Sequence, residues 1–180
     1  MNMANFLTIL RILLLFPVLM LASPLPSLDN WIALILFVIA GVTDHLDGYL
    51  ARKTNSTSDV GALLDLVADK ILIIITLFYL ISYASSLLLI IPSIIIISRE
   101  IAVSSFRQLL AEKEGKNPVK VTFIAKSKTT IQIFALSFLI ISPNFGEIFF
   151  FLTAFLFWLA AYVSLHSMFA YLKTYINLLK

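Results

Sequence analysis

The sequence predicts an all-α integral membrane protein with six transmembrane helices and both termini in the cytoplasm. Its 180 residues are 61% hydrophobic and 13% charged, whereas soluble domains are about 45–50% apolar and about 25% charged. The chain also contains charge-free runs close to the length that a bilayer-spanning helix needs, about 20 mainly apolar residues. Its Lys and Arg residues are concentrated at alternate ends of these runs. Composition, run length and charge placement therefore agree on a helical protein that crosses the membrane several times.

The charge-free runs define the helices in order along the chain. They cover residues 12–28, 30–43, 71–98, 129–146 and 148–172. The run at 71–98 is too long for one span, and SYASS at 82–86 interrupts it, so it is interpreted as two helices joined by a hairpin. The six predicted spans are 5–23, 30–50, 62–82, 86–110, 121–142 and 147–172. Because the loops are short and no repeat is visible, residues 1–180 are predicted to form one membrane domain.

The orientation follows from the thirteen Lys and Arg residues. The loops near 24–29, 82–86 and 143–146 contain none of them, so these loops are predicted to lie outside the cytoplasm and the opposite helix ends inside it. The first apolar stretch lacks a basic leader and a small-residue cleavage site, and it is therefore expected to remain as a helix. We expect a multi-pass protein of a bacterial plasma (inner) membrane, with membrane lipid around it and no nucleic-acid partner.

Four aspartates lie at the ends of two apolar runs, in the segment DHLDGYLARKTNSTSDVGALLDLVADK at 44–70. Asp44 and Asp47 are three residues apart and Asp65 and Asp69 four, and in helices both spacings place side chains on one face. Crowded carboxylates repel one another unless a cation neutralises them, and Mg²⁺ prefers oxygen ligands and is often completed by substrate phosphate. The alternative is an ordinary cytoplasmic loop with solvated charges and helix caps, which fits Asp59 well.

The neighbouring residues indicate a ligand pocket rather than a structural metal site. Gly48, Ala51 and Gly61 are small, which lets helices and ligands approach the backbone. Arg52 offers a planar fork of donors that suits phosphate. The chain has no cysteine and only two histidines, so a zinc site built from thiolates or several histidines is excluded.

The spacing of the aspartates and their neighbours resembles the signature of the CDP-alcohol phosphotransferase family. Eight positions match it: Asp44, Asp47, Gly48, Ala51, Arg52, Gly61, Asp65 and Asp69. The resemblance implies the family's fold, a six-helix membrane bundle, usually homodimeric, with an active site open to the cytoplasm. It implies that the four paired aspartates hold one or two Mg²⁺ or Mn²⁺ ions at the pyrophosphate of a CDP-linked lipid. It also implies that Asp69 is the general base and that the other four positions line the CDP pocket.

A second set of polar residues is expected to bind the phosphate of the acceptor alcohol. Arg99 and Arg107 are eight residues apart and share a helix face, and charged side chains within a span rarely face lipid. Near the N-terminus, polar residues recur every three positions on an apolar helix. The predicted acceptor residues are Arg99, Arg107, Lys126, Lys128, Asn5, Thr8 and Arg11. The alternatives are snorkelling lysines and, at the N-terminus, an interfacial amphipathic start to the helix.

The same residues resemble the branch of the family that uses glycerol 3-phosphate as acceptor. Three short patterns are similar: REI at 99–101 followed by Arg107, the K-x-K-T segment at 126–129, and N-x2-T-x2-R at 5–11. This implies CDP-diacylglycerol and sn-glycerol 3-phosphate as substrates. Inositol phosphate, inositol or serine stays open as the acceptor. A transporter is disfavoured, because transporters place their ionisable residues near the bilayer midplane, on broken helices.

Overall fold

The computed structural model describes residues 3–54, 59–114 and 123–178, and all regular structure in these segments is helical. The helices are α1 (Met3–Leu21), α2 (Leu28–Thr54), α3 (Asp59–Ala84), α4 (Leu87–Glu114), α5 (Phe123–Ile141) and α6 (Glu147–Leu178), with a short 3-10 turn at Ser142–Asn144. The prediction of an all-α chain with six helices is confirmed for the described residues. Each predicted span lies within its helix or overruns it by no more than two residues.

The predicted interruption of the long apolar run is present between α3 and α4. Ser85 has a φ of 42°, the left-handed conformation that commonly follows the last residue of a helix. The carbonyl of Ser86 then accepts hydrogen bonds from the N–H groups of Leu89 and Ile90, at 3.0 and 2.9 Å, which starts the next helix. The small residues of SYASS thus separate two helices that hydropathy alone would join.

The described helices form two compact units. Unit 1 consists of Met1–Ser85 and Leu136–Thr153, and unit 2 of Ser86–Ala135 and Ala154–Lys180. Unit 1 therefore holds α1, α2, α3 and the turn at Ser142–Asn144, whereas unit 2 holds α4 and most of α5 and α6. That the whole chain acts as a single domain stays a prediction.

In unit 1, α1 packs against both α2 and α3, and α2 also contacts α3. The α1 sequence explains this packing, because two stripes with alternating spacings of three and four residues run along it. The buried stripe consists of Thr8, Arg11, Leu15, Val18 and Ala22. The exposed stripe consists of Phe6, Ile9, Leu13, Phe16 and Met20. The polar residues Thr8 and Arg11 thus lie on the buried stripe, and the large apolar residues of the other stripe are exposed.

In unit 2, too, small or polar residues are buried and large apolar residues are exposed. On α6, the buried positions include Ala160, Ala161, Ser164 and Ser167, small residues that allow helices to approach closely. The exposed positions are large and apolar: Phe155, Trp158, Tyr162 and Phe169. Apolar patches of this extent do not occur on soluble proteins unless something covers them.

Two of the described helical segments are long and apolar enough, by length and composition, to cross a bilayer. They are Leu87–Phe106, with 20 residues, and Glu147–Phe169, with 23. Four shorter apolar segments lie in α1, α2, α3 and at α5 and the turn after it. Six crossings and the orientation of the termini therefore stay predictions.

Candidate functional site

The backbone of the four paired aspartates is helical, as the spacing argument requires. Asp44 and Asp47 lie on α2, and Asp65 and Asp69 lie on α3. Their side chains lie outside the part of the chain that the structure describes. Because each pair belongs to one continuous helix, spacings of three and four residues place its members on one helix face. Asp59, expected at a turn or cap, is the first residue of α3.

The two acidic pairs are also brought to the same level of unit 1. Asp47 precedes the end of α2 at Thr54 by seven residues, and Asp65 follows the start of α3 at Asp59 by six. At 1.5 Å per residue, both lie about 10 Å from the ends that face each other along the chain. Only residues 55–58 join these ends, and α2 contacts α3. Consecutive helices with so short a connection carry the pairs side by side.

The residues expected to line the CDP pocket lie on the same two helix segments. Gly48, Ala51 and Arg52 follow Asp47 within two turns of α2, and Gly61 precedes Asp65 by one turn on α3. Their side chains, too, lie outside the described part. All eight positions of the aspartate pattern therefore lie on one end of a helix pair.

Thr8 and Arg11 of α1 face the interior of unit 1. Arg11 is fully buried and Thr8 is 2% exposed, on the helix that packs against both α2 and α3. The sequence left two orientations open, toward the acceptor cavity or at an interfacial amphipathic start, and the structure buries both side chains. The side chain of Asn5 lies outside the described residues, and binding of the acceptor by any of the three stays a prediction.

Arg99 is the centre of a buried cluster in unit 2 that we call the arginine network. Its Nε–H donates to the backbone oxygen of Ser164 at 3.0 Å, and its Nη2 donates to Oγ of Ser167 at 2.8 Å. Its Nη1 donates to Oε1 of Glu100 at 3.0 Å, which is also an ion pair. Arg99 is only 2% exposed. A charge inside an apolar helix is thus neutralised by the adjacent residue and hydrogen-bonded to α6.

Gln132 of α5 completes the arginine network. Its Nε2 lies 3.3 Å from Oε1 of Glu100 and 3.3 Å from Oγ of Ser164, and it donates to both. Its Oε1 is buried and has no hydrogen-bond partner among the described residues. A single amide side chain therefore joins α5 to both α4 and α6.

The arginine network contains four residues that were not predicted as site residues: Glu100, Gln132, Ser164 and Ser167. Two signals in the sequence point to them. Gln132 is an amide within the apolar part of α5, and Ser164 and Ser167 are three residues apart on an apolar helix. The backbone of Arg107 lies on α4 and that of Lys126 and Lys128 on α5, but their side chains lie outside the described residues, so the cationic pocket stays a prediction.

A second, partly buried cluster, which we call the amide network, lies at the end of unit 1 that is remote from the acidic pairs. Nδ2 of Asn30 donates to Oδ1 of Asn144 at 2.7 Å and to the carbonyl of Leu25 at 2.9 Å. Asn144 in turn donates to the carbonyl of Ser27 at 2.7 Å, and Oδ1 of Asn30 accepts from the N–H of Ser23 at 2.7 Å. The network ties the loop before α2 to the turn at Ser142–Asn144.

A cavity of about 320 Å³ opens near the amide network and is lined by Tyr83, Phe145, Glu147 and Phe150, among others. None of its lining residues belongs to the predicted site. It lies at the ends of α1 and α3 that are remote from the acidic pairs. This cavity is therefore separate from the residues of the predicted site.

The donor set suits a hard divalent cation. The side chains that the structure describes include no group of three or more His, Cys, Asp or Glu that could hold a metal. The side chains of the four paired aspartates are not among those described. Four carboxylates on one helix pair supply only oxygen ligands, which Mg²⁺ and Mn²⁺ prefer. The residues therefore fit the predicted ion in chemical type.

Comparison with known proteins gives a consistent match. The model of the CDP-alcohol phosphatidyltransferase family matches residues 1–166. A CDP-diacylglycerol–glycerol-3-phosphate 3-phosphatidyltransferase from Haemophilus influenzae is 40% identical over 96% of this chain and 92% of its own length. Relatives with the same name from Wigglesworthia glossinidia brevipalpis and Escherichia coli K12 are 43% and 37% identical. The first covers 75% of this chain and 74% of its own length, and the second 96% and 93%.

Proposed function

The chain belongs to the CDP-alcohol phosphatidyltransferase family, and we propose that it transfers the phosphatidyl group of CDP-diacylglycerol to sn-glycerol 3-phosphate. The products are phosphatidylglycerophosphate and CMP, so the protein is a phosphatidylglycerophosphate synthase. The observation that carries this function is the 40% identity to a relative of that name over 96% of the chain. A match of this length includes the segments that carry the acidic pairs and the arginine network.

The reaction exchanges one phosphorus–oxygen bond for another. A hydroxyl oxygen of the acceptor bonds to the phosphorus of the phosphatidyl group, the bond from that phosphorus to the CMP oxygen breaks, and the hydroxyl proton is released. A hydroxyl is a poor nucleophile until a positioned base takes its proton. We assign that base to Asp69, which lies on α3 one turn after Asp65.

The four paired aspartates would hold the metal, as one or two Mg²⁺ or Mn²⁺ ions. When bound, such an ion neutralises the pyrophosphate and stabilises charge on the leaving oxygen. The small residues Gly48, Ala51 and Gly61 leave room for the nucleotide beside the aspartates, and Arg52 supplies a donor fork for its phosphate. Asp44 and Asp47 on one helix and Asp65 and Asp69 on the next would bind the ion from two sides.

The acceptor phosphate would be held by the predicted cationic set. Arg is well suited to bind phosphate, and in unit 2 the set consists of Arg99 and Arg107 of α4 and Lys126 and Lys128 of α5. In unit 1, Thr8 and Arg11 are buried on the helix that packs against α2 and α3, which carry the aspartates, and we propose them separately as acceptor residues.

We also infer a membrane location with the active site at the cytoplasmic face. The exposed apolar stripes of α1 and α6 and the buried polar residues support lipid contact. At the interface, the acyl chains of the lipid substrate stay in the membrane while its CDP group meets a water-soluble acceptor. Six crossings, cytoplasmic termini, a bacterial inner membrane and a homodimer are parts of this proposal.

The reaction is tested by the release of CMP from purified protein in detergent, with CDP-diacylglycerol, Mg²⁺ and one acceptor at a time. We expect release that requires glycerol 3-phosphate. Release with inositol phosphate, inositol or serine instead would preserve the family chemistry and overturn the acceptor. No release with any acceptor, from protein that elutes as one folded species, would overturn the function.

The metal is tested in the same assay by removal and replacement. EDTA should abolish CMP release, and an excess of Mg²⁺ or Mn²⁺ should restore it. As a readout that does not depend on activity, Mn²⁺ binding should be lost when Asp44 and Asp65 are both replaced by Asn. Turnover that survives EDTA, or Mn²⁺ binding that survives the double substitution, would contradict the aspartate site.

A further inference from the structure

The arginine network does more than neutralise a buried charge, because it joins α4 to α5 at one defined pair of positions. Oε1 of Glu100 accepts from both Arg99, at 3.0 Å, and Gln132, at 3.3 Å. Glu100 and Gln132 are 9% and 1% exposed. A buried hydrogen bond between an amide and a charged group fixes how far one helix can slide along the other, since sliding would leave both groups unsatisfied.

The two helices run in opposite directions at this link. Glu100 precedes the end of α4 by 14 residues, and Gln132 follows the start of α5 by nine. If the helices were parallel, these ends would lie about 35 Å apart at 1.5 Å per residue. The nine Cα–Cα steps from Glu114 to Phe123 reach at most about 32 Å. The connection therefore requires an antiparallel pair, with both near ends on the same side of the link.

This arrangement places the predicted acceptor residues at matching positions. Arg107 follows Glu100 by seven residues, close to two full turns, so it lies on the same face of α4. Lys128 precedes Gln132 by four residues, one turn, and lies on the same face of α5. Lys126 precedes Gln132 by six residues, which is about 120° away from that face. The hydrogen bond between Glu100 and Gln132 thus fixes the position of Arg107 along α4 relative to the position of Lys128 along α5.

We propose that Glu100 and Gln132 are positioning residues that hold α4 and α5 in the register needed to bind the acceptor phosphate between Arg107 and Lys128. This inference rests on the proposed function, because it assumes glycerol 3-phosphate as acceptor. Neither residue contacts the substrate. Each acts through the backbone position of a cationic residue one or two turns away.

The first test is Gln132→Met, which keeps the length of the side chain and removes both donated hydrogen bonds. We expect this variant to fold, because the substitution also removes Oε1, which is buried without a partner. The KM for glycerol 3-phosphate should rise about tenfold, the order expected for loss of a hydrogen bond to a charged group. The KM for CDP-diacylglycerol should stay within about twofold of the wild-type value.

The second test exchanges the two partners. Glu100→Gln alone and Gln132→Glu alone should each raise the KM for glycerol 3-phosphate, because each leaves an unbalanced charge beside Arg99. The double variant Glu100→Gln/Gln132→Glu retains one carboxylate and one amide, so the hydrogen bond can form in the reverse direction. It should recover most of the wild-type KM, which a general loss of stability would not do.

Ser105→Ala is the matched control on α4, since Ser105 is exposed and its hydroxyl donates to the carbonyl of Ile101 in the same helix, at 3.2 Å. It should leave both KM values unchanged. A lower melting temperature with unchanged KM for glycerol 3-phosphate, or a double variant that fails to recover, would overturn the positioning role. A wild-type protein inactive with glycerol 3-phosphate but active with another acceptor would instead overturn the acceptor in the proposed function.

Discussion

The arginine network of unit 2 is buried, the amide network of unit 1 is only partly buried, and the two networks connect different groups. The amide network joins side chains to backbone groups in loops, as in the bonds from Asn30 to Leu25 and from Asn144 to Ser27. The arginine network joins side chains on three helices and contains an ion pair, Arg99 with Glu100. One closes the ends of helices, and the other fixes helices against each other.

The two networks differ in the free-energy cost of burying their groups, and they therefore indicate different roles. Loops need polar partners wherever their backbone leaves water, so neutral amides there satisfy groups that every helix end leaves unpaired. A charge pair within apolar helices is replaceable by apolar residues at little or no loss of stability. The ion pair in unit 2 is thus better explained by its fixing of the helices against each other than by a gain in stability. For the amide network, a gain in stability is a sufficient explanation.

The largest effect is expected from Glu100→Ala. This substitution leaves the guanidinium of Arg99 buried without its carboxylate, and loss of one partner of a buried pair costs about 3–5 kcal/mol. The free energy of unfolding, measured by denaturant titration in detergent, should fall by that order. A loss below about 1 kcal/mol would show that water reaches Arg99 and that the network is not buried in solution.

A smaller effect, of a different kind, is expected from Asn144→Ala in the amide network. The substitution leaves the Asn30 amide and the Ser27 carbonyl with fewer partners, at a cost of about 1–3 kcal/mol in the free energy of unfolding. Both KM values should remain at wild-type levels, because no site residue lies at this end of unit 1. An increase in KM for glycerol 3-phosphate comparable to that of Gln132→Met would remove the distinction between the networks.

The third effect distinguishes two lysines of α5 that are two residues apart, Lys126 and Lys128. Lys128→Ala should raise the KM for glycerol 3-phosphate about tenfold, as loss of one charge-assisted hydrogen bond does. Lys126→Ala should raise it about twofold or less, because Lys126 lies on a different face of α5 from Gln132. Equal effects, or a larger effect at Lys126, would show that the link does not set which lysine meets Arg107.

The helices could be predicted from sequence because hydropathy and charge placement are local properties. The break at 82–86 and the ends of α2 and α3 follow from the residues themselves, and the aspartate spacing needs only a helical backbone. The inward orientation of Thr8 and Arg11 was left open, because a repeat of three residues drifts around a helix. The structure decides it through the continuation of the buried stripe into Leu15 and Val18.

The arginine network was beyond reach of the sequence for a physical reason. Arg99 could be recognised as unusual in a span, but its partners Ser164 and Ser167 are 65 and 68 residues away. Which polar residue of one helix meets which of another depends on helix packing, and no local pattern encodes it. Arg99 was therefore predicted to bind the acceptor and not to anchor three helices, and its binding of the acceptor stays a prediction.

The most direct measurement is identification of the lipid product by mass spectrometry after incubation of CDP-diacylglycerol, glycerol 3-phosphate and Mg²⁺ with three proteins. These are the wild type, Asp69→Asn and Asn144→Ala, each first shown to be folded. We predict phosphatidylglycerophosphate from the wild type and Asn144→Ala, and none from Asp69→Asn, whose side chain cannot take the acceptor proton. Wild-type levels of product from Asp69→Asn would contradict the general base, and absence of this lipid from all three would contradict the function.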